Sequence, residues 1–344
     1  IGVSGSKFAH VPDSTLVTGA ETTMSISSLC GSDFDPRLQF ERCWTNTNYF
    51  GGFKTLRTGK ADQYVSSRGG GFGVWSQGGA LPQVKTNGFS MGTAHAALSV
   101  GGYTPTNSDI TNKYDGTVWA ASAKLAEVRV SGGSAGTQNA ALIFGGRVTH
   151  PAESNTDRTE QYNGSTWSEV NNMTVAANGV GGLGTQNAAL VAGPMGDPAA
   201  AQAEDWNGDV WSEAASNNVN RSQFGMGGTY YGGMMVTGAS PNRQCSELWN
   251  GSTWSVTSAI PSGTMATSFA GTSNAGIFYG NHAQTGIGKG DWDGNSWKTG
   301  PTMPVGFGYA SKTEPGVQSC AIFIGGQGTA NAPGNVPLAC TQHY

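Results

Sequence analysis

Short apolar runs that end in Gly recur along this chain: NYFGG at Gly51, LSVGG at Gly101, LIFGG at Gly145, LVAG at Gly193, MVTG at Gly238, IFYG at Gly280 and IFIGG at Gly325. The polar stretches between them carry a second mark, an aromatic followed by Asn or Asp, Gly, two residues and Trp. It ends at Trp119, Trp167, Trp211, Trp254 and Trp297, with steps of 48, 44, 43 and 43 residues, and a degenerate copy, GGFGVW, ends at Trp75. From each of these tryptophans to the next glycine the distance is 26, 26, 26, 27, 26 and 28 residues. Unrelated loops would not keep that constancy, so one unit is repeated, and a period of this size is the mark of a propeller or solenoid.

The unit reads as four antiparallel strands. A Gly-rich segment such as NGVGGLG, 178 to 184, suits the innermost strand, where blades converge and bulky side chains would collide. The apolar run is the second strand, continuous because it is buried on both faces, and its closing glycines allow positive φ and close approach. The aromatic ends the third strand and leads into an Asx-Gly pair, the signal of a two-residue type I′ hairpin, and the Trp opens the outermost strand. The aromatic and the Trp then pack between adjacent blades.

An apolar strand ending in Gly-Gly, then a Tyr, then a Trp resembles the Kelch repeat, the blade of Kelch propellers and of the galactose oxidase central domain, over roughly residues 20 to 344. The wording TQNAALIFGG and YNGSTW is also similar to Kelch-type repeats in marine bacteriophage and metagenomic proteins. Seven Gly motifs against six Trp motifs predict an all-β, seven-bladed Kelch-like β-propeller spanning 19–344, with residues 1–18 as an N-terminal arm. The chain stops at LACTQHY, which aligns with RTEQY at Tyr162, so Tyr344 is the aromatic of a third strand. Its missing outermost neighbour is expected from the N-terminal segment 21 to 28, around Ser25, which closes the ring and removes open sheet edges.

Composition narrows the chemistry. Of 344 residues 54 are Gly, 12% are charged and 37% are hydrophobic, enough apolar material to bury a core. The net charge is -4 and the 18 Lys and Arg are scattered, so nucleic acid is not an expected partner, and no apolar stretch is long enough for a membrane helix. The cysteines, Cys30, Cys43, Cys245, Cys320 and Cys340, have no CxxC spacing. They allow either two disulfides, Cys30 with Cys43 and Cys320 with Cys340, or buried thiols throughout. His10, His95, His150, His282 and His343 are dispersed, so a galactose-oxidase-like copper site is not expected. His95 aligns with Asn139, Asn187 and Asn274, a set that could ring the axis or merely bond to loop backbone. Arg129 and Arg221 lie beside inner strands, with Glu127 near the first, but without the clustered arginines and acid pair of a sialidase. No catalytic set, metal site or cofactor is predicted.

Function on such a fold is carried by loops. Those joining second to third strands hold the variable material and supply the candidate binding residues Arg147, His150, Asn242, Arg243 and His282. The expectation is a non-enzymatic recognition or structural module, a virion appendage or extracellular protein, that binds a host-surface glycan or another virion protein and oligomerises through that assembly. The alternative is a secreted adhesin or carbohydrate-active enzyme built on a Kelch core.

Overall fold

The computed structural model describes residues 75–344 apart from 105, 149–153, 197–199, 239–243, 261–266, 281–287, 302, 304–306, 315 and 329–338. Within them the chain forms six four-stranded antiparallel sheets. Blade 1 runs outward through Phe89–Thr93, Ala96–Val100, Thr111–Tyr114 and Trp119–Ala121. Blades 2, 3, 4 and 5 repeat it from innermost strands Gly133–Thr137, Gly181–Thr185, Gly225–Thr229 and Thr267–Gly271. Blade 6 is composite: Gly316–Val317, Cys320–Ile324 and Thr341–His343 are joined on the outside by Ser76–Gln77.

The expected β-propeller is therefore present, with two corrections. Its inner strands touch in an unbroken cycle, blade 6 meeting both blade 5 and blade 1, so the ring closes at six blades and not seven. The closing strand is Ser76–Gln77, paired Ser76 to His343 and Gln77 to Gln342 and continued by the Gly78 N–H to the Thr341 carbonyl at 2.8 Å. Thr341–His343 also pairs with Ile322–Ile324 on its other edge, which leaves no edge for 21 to 28. That segment, the arm at 1–18 and the NYFGG motif lie outside the described residues. The closing strand expected at 21 to 28 is instead the one that Trp75 opens.

The tryptophans hold the seams. Each stands against the third-strand aromatic of its own blade, with Trp206 and Trp211 centroids 5.4 Å apart, Trp292 and Trp297 5.2 Å, and Tyr344 and Trp75 4.9 Å across the closure. Each indole N–H reaches for the start of the third strand one blade back: Trp119 to Thr341, Trp167 to Thr111, Trp211 to Thr159 and Trp297 to Ser246, at 2.9 to 3.1 Å. Where that position is Lys289, whose side chain can only donate, the Trp75 N–H turns to the Tyr279 hydroxyl at 3.1 Å. Where it is Ala203, buried against Trp254, the Trp254 N–H has no partner among the described residues. Gln138, Gln186 and Gln318 add a second clasp, each donating to a third-strand carbonyl of the preceding blade, at Tyr114, Tyr162 and Trp292.

The second strands are buried throughout, as their unbroken apolar runs require. The Gly-Gly after Phe144 has φ of +60 and +104, and a Cβ on Gly145 would lie 2.9 Å from the Ala177 carbonyl of the next blade's approach. The inner strands are small at the tightest point, where a Cβ on Gly182 would meet Ser134 backbone at 2.5 Å. They are not uniformly small, since Phe89, Met91 and Phe269 also lie there, fully buried. The outer turns differ from the type I′ expectation. Tyr114 pairs directly with Trp119, leaving a four-residue loop in which the Asp115 carboxylate accepts the Thr117 and Val118 N–H groups at 2.8 Å. The Asx side chain closes the turn, so a two-residue hairpin is unnecessary.

The axis is filled by the chain itself. In blades 1 to 4 nine positions separate a left-handed residue (Asn87, Ser131, Gly179 and Gln223) from the start of the second strand; from left-handed Tyr309 to Cys320 there are eleven. The slack runs across the centre. The Lys312 carbonyl accepts from Met226 and Phe269 N–H groups, Thr313 Oγ1 donates to the Gly182 and Met226 carbonyls at 2.7 Å, and Ser90 bonds Ser311, Thr313 and Glu314. Ser311–Glu314 thus ties blades 1, 3, 4 and 5 together. Glu314 is buried, and burial holds its carboxyl well above the usual carboxylate range.

Trp75→Ala and Trp254→Ala are each expected to lower stability by about 3–5 kcal/mol through lost burial and a cavity; a Trp75→Ala protein that melts like the parent would contradict the closure. Thr159→Val should cost about 1–3 kcal/mol by orphaning the Trp211 N–H, whereas Ala203→Ser should add about 1 kcal/mol by supplying Trp254 with an acceptor. For Glu314, whose folded value is raised, the group's stability contribution is complete below about 4.3 and is lost as pH rises through the folded value. Glu314→Gln should therefore raise the melting temperature at neutral pH and flatten its decline toward alkaline pH; an unchanged pH profile would show that the carboxyl is not held neutral.

Candidate functional site

A cavity of about 370 Å³ opens at the axis where the innermost strands begin. Its mouth is set by backbone conformation. Asn87, Ser131, Gln223 and Tyr309 have φ between +52 and +61, joined by Gly179 at +73. These residues hand hydrogen bonds around the ring: Asn87 N–H to the Tyr309 carbonyl at 2.7 Å, Ser131 to Asn87 at 2.9 Å and Gly179 to Ser131 at 2.7 Å. A left-handed bend outside glycine is strained, and here interblade bonding holds it while the side chains turn toward the axis. The walls add Asn155, Asn178 and Thr267, and Ala310 and Lys312 form the floor.

The wall is amide and hydroxyl chemistry. Asn178 donates to Asn155 across the gap between blades 3 and 2. Asn155 belongs to a two-stranded ribbon, Arg147–Val148 with Ser154–Asn155, that extends the second-to-third-strand connection of blade 2 along the rim. Burial raises the Tyr309 phenol, and burial lowers the Lys312 ammonium to about 8. Lys312 Nζ lies 5.6 Å from the centroid of the Phe224 ring.

Of the residues expected from sequence, Arg147 stands exposed on this ribbon, directly opposite Asn155 in register and one layer outside the cavity. His150, Asn242, Arg243 and His282 lie outside the described residues. The proposed ring of His95, Asn139, Asn187 and Asn274 does not form around the axis. Those side chains sit exposed at the far end of the blades, each beside its own blade's Asx-Gly turn, where a Cβ on Gly116, Gly164, Gly208 or Gly294 would touch them.

Arg129 and Arg221 are equivalent positions with a structural task. Each is buried, paired with the Glu of a third strand (Glu160 and Glu247) and donates to backbone carbonyls as well. Those carboxylates, with Glu204, also accept N–H groups of the loops joining consecutive blades, at Ala126, Asn218, Thr174 and Val175. The ties repeat from blade to blade, which the sequence reading missed. Cys245 and Cys340 carry free thiols while Cys320 is disulfide-bonded, so neither the Cys320–Cys340 pairing nor thiols throughout holds.

Sequence reasoning also missed the funnel. Its signal was present: Asn87, Ser131, Gly179 and Gln223 share a register two positions before the inner strand, and blade 6 is longer by two residues there.

No protein-family profile matches the chain, and no curated protein matches it in sequence. In structure it is similar to YjhT, at 13% identity and a TM-score of 0.61, over 76% of this chain and 95% of that one. At that identity the likeness establishes the β-propeller fold.

Proposed function

We propose that this propeller is a non-enzymatic recognition module that receives a small polar ligand, a terminal sugar of a surface glycan, in its axial funnel. The observation that carries the reading is the funnel itself. A cavity of about 370 Å³ is of the size that ligand sites occupy, and Asn87, Asn155, Asn178 and Gln223 offer amides that both donate to and accept from sugar hydroxyls. The rim ribbon bearing Arg147 extends the same surface outward, and Arg147 is the proposed outer contact; His150, Asn242, Arg243 and His282 are proposed as further contacts on the sequence reading alone. The likeness of the repeats to those of marine bacteriophage proteins supports placing the module on a virion, as a fibre, tail or capsid appendage turned toward a host-surface glycan.

A glycan array with the purified chain, followed by titration of the best binder, tests this. Asn155→Ala with Asn178→Ala should weaken binding about tenfold, the loss of one or two net hydrogen bonds, with melting within about 2 °C of the parent because both side chains face the cavity. The bound glycan should be recovered intact. Binding that survives this pair but is lost on replacing Arg147, His150, Asn242 and Arg243 together would move the contact to the outer loops, and a cleaved or oxidised glycan would overturn the non-enzymatic reading.

A further inference from the structure

Three cationic side chains are buried in the blades and a fourth is half-buried at the axis, and the three buried ones are spent. Arg129 and Arg221 hold Glu160 and Glu247. Lys85, buried beneath blade 1, donates to the Ser99 and Ile110 carbonyls at 3.4 and 3.0 Å. The fourth, Lys312, has neither carboxylate nor hydrogen-bond acceptor among the described residues; its one contact is the face of Phe224.

Lys312 is half-buried and lines the funnel; an ammonium that loses part of its water without gaining a partner is destabilised, and a ring face at this distance returns only part of that loss. The loss is fixed by the fold, because the Lys312 backbone is pinned by Met226 and Phe269 at the centre of the ring. The side chain stands at the floor of the funnel, and no Asp or Glu lines that cavity among the described residues. A positive charge is thereby offered at the bottom of an uncharged polar well, in a chain whose net charge is -4.

We propose that Lys312 is an oxyanion site: the funnel selects ligands that carry a carboxylate or sulfate group, which descends to the Lys312 ammonium while the amides of the wall hold the neutral remainder. This rests on the funnel being the binding site. Neighbouring groups leave the charge uncompensated. Tyr309, on the same segment, has its phenol raised by burial, Glu314 is held toward its neutral form, and Phe224, Pro194 and Gly196 from blades 4 and 3 are uncharged. Because burial brings the ammonium to about 8, it remains largely charged at neutral pH and is lost well below the range of an exposed lysine.

The test is NMR of the full chain with ¹³C-labelled lysine, titrated with sodium acetate and with sodium sulfate at constant ionic strength. The Lys312 Cε signal should shift saturably with at least one anion, while exposed Lys124 and Lys298 drift linearly. Apparent affinity should fall at least about tenfold between about pH 7 and about pH 9.5 as the ammonium deprotonates. Lys312→Arg should keep binding at the upper pH and Lys312→Met should abolish it.

A Lys312 response that follows the exposed lysines for both anions overturns the proposal. If the paired Asn155 and Asn178 substitutions nonetheless weaken sugar binding about tenfold, the funnel reading stands and only the oxyanion site is wrong. If sugar binding also survives those substitutions, both are wrong.

Discussion

The seam between neighbouring blades is the constraint on which this ring depends. A sheet of four short strands cannot stand alone with two apolar faces, so each must be covered by the next. The fourth-strand Trp supplies both parts of that cover: a large buried ring, and an N–H that must find an acceptor once it is buried. Four seams answer with a Thr or Ser at one register position, one borrows Tyr279, and one leaves Trp254 without a partner among the described residues. Five seams join blades consecutive in the chain. The sixth, between blades 6 and 1, is held by the Trp119 N–H on Thr341; within blade 6 Trp75 meets Tyr344, and the strand it opens gives that last blade its outer edge.

Closure at six blades sets the width of the axis, and the extra length before blade 6 fills it. The segment through Thr313 bonds to inner strands of several blades, so it stiffens the centre and gives the funnel a floor. The ring of left-handed residues at the mouth has the same origin. The bends that lead into blades 6, 1 and 2, at Tyr309, Asn87 and Ser131, each give a carbonyl to the N–H of the next blade's bend, and the side chains of those three line the funnel. The polar lining follows from the way blades enter the ring, which is why it carries one residue from each of several blades.

The strand order, the burial of the second strands and the interblade place of the tryptophans were legible in the sequence because each is enforced by a periodic demand on residue type. The blade number was misread because the Phe50–Gly51 motif has the same local chemistry as a second strand. Local pattern cannot say which copies share a ring. The equality of six tryptophans from Trp75 to Trp297 with six glycine motifs from Gly101 to Gly325 held the answer. The funnel was less legible because its residues are unlike in type; Asn87, Ser131, Gly179, Gln223 and Tyr309 share a backbone conformation, and only register reveals it. Arg129 and Arg221 looked like chemistry and are instead mortar, since their acidic partners lie 26 or more residues away on third strands.

The central claim, a ring closed at Trp75, is tested most directly by crosslinking across the closing pair. Ser76 and His343 are register partners, so a Ser76→Cys, His343→Cys protein should form that disulfide on mild oxidation, identified by mass spectrometry of the linked peptides. A Ser25→Cys, His343→Cys protein should not form the corresponding bond. A crosslink from position 25 to 343, with none from 76, would contradict the account.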